Sequence, residues 1–283
     1  MTIRPGIRYA DLSPREIREM ARRGELGYRD TAGMAAGYVQ TSFICLPEKY
    51  AFDFMLFCHR NPAPQPLIEV LEPGETEPKS SAPGADIRTD APGYRVWRHG
   101  KVDEIVPDLK GHWRGDLVTF LSGGSFSFDP ELVKSGIRLR HVEENEQIGS
   151  YVSNIPCRPA GVFGGPMVVS MRPIPERDVD AVVSITTGRP EGHGAPVWAG
   201  DPEAIGIDLA KPFAGKGMSV REGEVPVFWA CGDTALVTTI RAGVDFMLSY
   251  VDAGVLVTDV PVGQVDALYR PGSSETGLGR TSR

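Results

Sequence analysis

The chain has 283 residues and a mass of 30.7 kDa, enough for one large domain or two modest ones around a substantial core. A formal net charge of −7 and a pI near 5.4 argue against a nucleic-acid or anionic-membrane partner, because neither finds a clustered basic face here. With 41% hydrophobic and 24% charged residues the chain reads as globular, and its 33 glycines and 24 prolines predict many short elements joined by loops.

In chain order, Ser13, Pro14 and Glu16 make a capping box with proline at the first helical position, which predicts a helix that stops near Gly24. Two apolar elements follow, TSFICLP and AFDFMLFC. The second runs into HRNPAPQP, whose prolines at 62, 64 and 66 set His59, Arg60 and Asn61 on a rigid loop. Residues 72–92 are dense in Pro, Gly, Ser and charge and are expected to form a long surface excursion. Within it Asp86, Arg88 and Asp90 alternate. On an extended segment their side chains share one side, although a solvated charge cluster explains them equally well.

Two junctions stand out, residues 117–129 (LVTFLSGGSFSFD) and 225–233 (VPVFWACGD). In each, an apolar run breaks into small residues and reaches an Asp where the next helix should begin. A buried strand end, a small-residue turn and a helix N-terminus together present backbone N–H groups to an anion. For the first junction, Asp129 and Pro130 predict a capped helix start and Gly136 its end. Between the junctions, the acidic run of RLRHVEENEQIGSYVSNIP reads as an exposed turn, PMVVSMRPI as a strand, residues from about 176 to 187 as a helix, and Asp201 with Pro202 as another helix start. The expected fold is therefore α/β: a larger α/β sandwich domain from residues 1–136 plus 222–283, with an inserted smaller α+β domain over 137–221. The tail SSETGLGRTSR has nothing to bury.

Familiar cofactor and metal motifs do not occur. No GxGxxG follows a strand, and Walker, HExxH and paired-Cys patterns are absent. The five histidines, at 59, 99, 112, 141 and 193, are far apart, so neither a metal nor a cofactor is expected. GGSFSF lacks the second glycine of a nucleophile elbow. The four cysteines, at 45, 58, 157 and 231, are widely spaced in apolar contexts and read as free thiols. Cys231 alone sits at a strand end beside a glycine, as either a reactive thiol or a small buried hydrophobe. The polar amino terminus and the lack of an apolar stretch long enough to span a membrane predict a cytoplasmic protein, and a homo-oligomer is compatible with the sequence.

Seven blocks in order, AAGYVQ, FDFMLFCHRNP, DIRTDAPGYRVW, GSFSFDPEL, GVFGGPMVVSMRPI, HGAPVWAGDPEAIGI and PVFWACG, resemble the D-glutamate cyclase family over nearly the whole chain. The resemblance implies a hydro-lyase that reversibly removes water from D-glutamate, closing its amine onto the side-chain carboxyl to give 5-oxo-D-proline. It also implies a two-domain α/β architecture with an inserted smaller unit. Such a lactamisation needs a neutral amine, one acid, one base and donors for the charge on the tetrahedral carbon. For acid–base duty the candidates are Asp90, His193 and Asp201, the last equally a simple helix cap; Cys231, as a nucleophile on an amide, and Asp233 complete the catalytic candidates. Backbone and side-chain donors are expected from Gly123, Gly124, Ser125, Ser127, Gly232 and Thr234, with Asn61 beside them. Arg60, Arg88 and Arg172 are candidates for a small-molecule carboxylate, each equally well explained by a structural ion pair.

The chain departs from the family pattern at these same places. The first junction of the family reads Gly-Cys-Ser-Phe-Ser-Phe-Glu, where this chain has Gly124 for the Cys and Asp129 for the Glu. The second reads Cys-Gly-Val-Thr-Pro-Gln, against Cys231-Gly232-Asp233-Thr234-Ala235-Leu236, and a His-Ala-Pro-Gly-His segment is replaced by YVDAG at 250–254. Asp233 and Asp252 are thus added carboxylates, which disfavour a dianion nearby. A binding or regulatory protein that keeps the pocket without the chemistry is the alternative reading.

Overall fold

The computed structural model of the protein describes residues 8–144, 147–251 and 253–269, leaving the polar tail and Asp252 outside them. Eleven strands are described: β1 (Tyr38–Pro47), β2 (Leu67–Val70), β3 (Tyr94–Arg98), β4 (Lys101–Val106) and β5 (Leu117–Gly123); then β6 (Ser150–Ala160), β7 (Phe163–Pro175), β8 (Trp198–Ala199) and β9 (Glu224–Ala230); finally β10 (Phe246–Tyr250) and β11 (Leu256–Pro261). They form two sheets in an α/β fold. One has seven strands in the order β2-β5-β1-β10-β3-β4, with β11 sharing an edge of β1 with β10; the other runs β6-β7-β9-β8. Every named pairing is antiparallel.

Strands β5 and β10 are buried at every residue because both faces of the sheet are covered. Phe43, Leu121 and Leu248 point to one core, and their neighbours Ile44, Phe120 and Met247 to the other. Helix α1 (Pro14–Arg22) carries the expected capping box, with Ser13 and Glu16 each bonded to the other's backbone N–H, and Gly24 follows it at φ +70°. Helix α2 (Ala51–Arg60) wedges between the sheets: Phe54 meets Phe120 of β5 at 4.9 Å and Phe163 of β7 at 5.1 Å between ring centroids. His59 and Arg60 therefore belong to the last turn of a helix, not to a loop.

Residues 72–92 correct another expectation. They hold no helix or strand, yet Ser81, Ala82 and Ile87 are fully buried, so this stretch covers the first core instead of leaving the surface. The remaining helices are α3 (Asp129–Lys134), α4 (Arg140–Glu144), α5 (Val179–Thr187), α6 (Thr234–Arg241) and α7 (Asp266–Tyr269). Strand β9 pairs with β7 along its length, so the four-stranded sheet continues past residue 221, where the inserted unit was expected to end. The core that holds Phe54 and Phe120 also holds Cys157, Phe163 and Ala235, and it joins the two sheets. All four cysteines are free.

Candidate active site

The two junctions meet. Gly124, Ser125 and Phe126 after β5 and Cys231, Gly232 and Asp233 after β9 line one cavity of about 450 Å³. Small residues are needed there for room. A Cβ on Gly123 would sit 1.9 Å from the carbonyl oxygen of Glu191, and one on Gly232 would sit 2.6 Å from the Ser42 hydroxyl. The first of these contacts seats residues 190–194 on the junction and brings His193 to the cavity wall. His193 adopts φ +80°, an uncommon conformation for a residue with a Cβ, such as recurs at functional sites.

Neither junction Asp caps its helix. The Asp129 carboxylate accepts from Arg172 Nε and Nη2 at 3.0 Å and from His141 Nε2 at 3.0 Å. Burial pushes this carboxyl up, but the Arg172 and His141 contacts outweigh burial and hold it below the usual carboxylate range. Arg172 is fully buried behind the wall, where it also reaches the hydroxyl of Ser125 at 3.0 Å and that of Ser170 at 3.5 Å. The Asp233 carboxylate accepts from Ser150 Oγ at 2.8 Å and from Tyr250 OH at 2.5 Å. Burial, and then the Asp233 charge, push both the Tyr250 phenol and the Cys231 thiol well above their ordinary ranges. Cys231 is thus a protonated thiol, which argues against a nucleophilic role.

Acceptors dominate the polar wall. Gln40 gives both amide hydrogens to the carbonyls of Thr31 and Met34, and its Oε1 is buried with no partner. His141 Nδ1 is likewise buried and unpaired among the described residues. His193 Nδ1 lies 2.7 Å from the Ala63 carbonyl and must donate to it, which leaves Nε2 as the acceptor in the neutral ring. Burial pushes His193 down to about 4, so the ring is neutral near pH 7. Arg95 of β3 also lines the cavity, as the one Lys or Arg among its lining residues.

Of the residues expected at the site, Gly124, Ser125, His193, Cys231, Gly232 and Asp233 line this cavity, and Arg172 and Gly123 stand directly behind it. The others are engaged elsewhere. Asp90 forms a two-bond ion pair with Arg22 at 2.8 and 2.6 Å, and Arg88 pairs with Asp86 in a turn, not on an extended segment. Arg60 donates to the Pro159 carbonyl, and the Asn61 side chain bonds both backbone groups of Arg158 and the Phe57 carbonyl of α2. Ser127 accepts from the Gln40 N–H, Thr234 bonds both backbone groups of Val168, and Asp201 caps residues 202–205.

Sequence reasoning missed Gln40, Arg95, His141, Ser150, Ser170 and Tyr250. His141 stands just before the acidic run that reads as an exposed turn. Its neighbours Leu139 and Arg140 are buried with it in and before α4, and an apolar residue beside a lone histidine was the only local signal.

Comparison with known proteins adds to this geometry. A family profile described as D-glutamate cyclase matches residues 118–259, which contain the second junction and all but the first residue of the first. A Stutzerimonas stutzeri protein named "Putative hydro-lyase" is 47% identical over 89% of this chain and 95% of its own. A Geobacillus kaustophilus protein of the same description is 46% identical over 92% of this chain and 98% of its own. A Rubrobacter xylanophilus counterpart is 48% identical over 86% and 94%. Among solved structures, a nitrogen repressor-like protein from Methanococcus jannaschii aligns at 10% identity with a TM-score of 0.40, over 89% of this chain and 99% of that one.

Proposed function

The chain belongs to the D-glutamate cyclase family, and on that premise we propose that its cavity reversibly dehydrates a small amino dicarboxylate, D-glutamate or a close analogue, to a lactam of the 5-oxo-D-proline type. In the forward direction the amine nitrogen bonds to the side-chain carboxyl carbon. One carboxyl oxygen leaves as water, carrying the two protons that the ammonium gives up.

The observation that carries this reading is a set of acceptors on residues that line the same cavity as an arginine. Gln40 Oε1, His141 Nδ1, His193 Nε2 and the Asp233 carboxylate call for a ligand rich in N–H or O–H donors. An ammonium or amine supplies them. Arg95 suits the carboxylate that does not react. His193 takes the role of base, because its ring stays unprotonated and its tautomer is fixed by Ala63. Ring closure is intramolecular, so the protein mainly has to hold the folded conformer and exclude water.

The test is to incubate the protein separately with D-glutamate and with 5-oxo-D-proline and to follow interconversion by chiral chromatography. His193→Gln is expected to lower kcat by about 10²–10⁴-fold. No turnover of either compound, together with a thermal shift on binding, would assign the pocket to a carboxylate-binding protein instead.

A further inference from the structure

Three ionisable side chains lie buried in contact inside the cavity wall. Arg172 packs over the adjoining rings of Phe128 and Trp229, 4.9 and 5.2 Å from their centroids. Burying a guanidinium, a carboxylate and an imidazole together gains little stability that apolar side chains could not supply, so packing alone does not account for them. The contacts converge on the carboxylate: Arg172 donates to Asp129 from one side and His141 from the other. Asp129 is a carboxylate with no proton to give, so the ring hydrogen of His141 must sit on Nε2. In the neutral ring, Nδ1 is then a bare lone pair. That atom is buried with no partner among the described residues, while His141 lines the cavity. An acceptor left in this state is satisfied when a ligand donates to it.

We propose that His141 is a second catalytic residue, whose Nδ1 takes a proton from the bound ligand, and that Asp129 and Arg172 are positioning residues that fix its tautomer. The inference rests on the hydro-lyase reading of the cavity and adds what that reading leaves open. Dehydration moves two protons from nitrogen to oxygen, and two imidazoles, each with one ring nitrogen unpaired within the protein, can each carry one. A carboxylate behind an imidazole sets which nitrogen is free to act.

The test labels histidine with ¹⁵N and reads the ring nitrogens by NMR in the full-length protein. In the wild type, His141 is expected as the Nε2–H tautomer, and D-glutamate or 5-oxo-D-proline is expected to move its Nδ1 resonance. This part needs no variant. In Asp129→Asn the Arg172 donors claim the amide oxygen and turn the amide N–H₂ toward the ring, so the proton is expected to move to Nδ1. With that change kcat falls about 10²–10⁴-fold while KM changes little. His141→Gln is expected to match that loss, and thermal midpoints check that both variants fold. An Nδ1–H tautomer in the wild type, an Nδ1 resonance that neither compound moves, or Asp129→Asn with wild-type kcat overturns the proposal. If Nδ1 responds to ligand but nothing is turned over, the cyclisation reading falls and the ligand contact of His141 stands. If turnover is normal and Nδ1 is unmoved, the reverse holds.

Discussion

Burial holds the His193 ring neutral down to about pH 4, whereas the same ring in the unfolded chain takes a proton near pH 6.5. Between those values the unfolded chain binds a proton that the folded one does not, so stability rises with pH across this window and the effect is complete above it. The full effect is roughly 3 kcal/mol. Urea midpoints from pH 4 to 7 should climb in the wild type and lose most of that slope in His193→Gln, a window lying above that of the depressed Asp129 carboxyl. Cys231 gives the second prediction at this scale. Its thiol is held up by burial and then by the Asp233 charge, so iodoacetamide should label it slowly at pH 7. Asp233→Asn removes one of those causes and should speed the labelling, whereas Cys231→Ala should keep catalytic activity. Rapid labelling of the wild-type protein would restore the thiol as a candidate nucleophile.

The elements that carry the site are two strand-to-helix bends, and here the glycines differ in consequence. Gly123→Ala forces a carbon against the Glu191 carbonyl, while Gly124→Ala meets the Gln40 carbonyl at 3.3 Å and needs only a small shift. The first substitution should cost about 1–3 kcal/mol and displace His193, lowering activity; the second should be mild on both counts. Thermal denaturation and turnover measured side by side separate them. These bends were legible in sequence because their signals are local: an apolar run, small residues, then Asp. The capping box of α1 was legible for the same reason. The work of the two Asp side chains was not. Their position at a helix start suggests caps, but Asp129 is claimed by Arg172, 43 residues away, and Asp233 by Ser150, 83 residues away. Only the paired sheets bring such partners together. The same holds for Asp90, whose ion pair with Arg22 spans 68 residues and takes it out of the site.

Across the whole molecule, one aromatic cluster couples the sheets. Phe54 and Phe57 of α2 lock Phe120 of one sheet to Phe163 of the other, so the core between the sheets opens when either leaves. A division at residues 137 and 221 would cut this core and strip β9 from β7. The two sheets should therefore unfold in a single urea transition by both fluorescence and circular dichroism. Phe163→Ala should lower stability by about 3–5 kcal/mol without splitting that transition into two steps. Sequence alone indicated an α/β chain with a smaller unit between the junctions, but it could not show that the pocket is closed by strand ends from both sheets. The packing of Arg172 over Trp229 has a practical consequence, since an indole next to a cation emits according to that charge. Replacing Trp97, Trp113 and Trp198 by Phe would leave a protein whose remaining ultraviolet emission reports directly on the far end of the ion chain, with no dye attached.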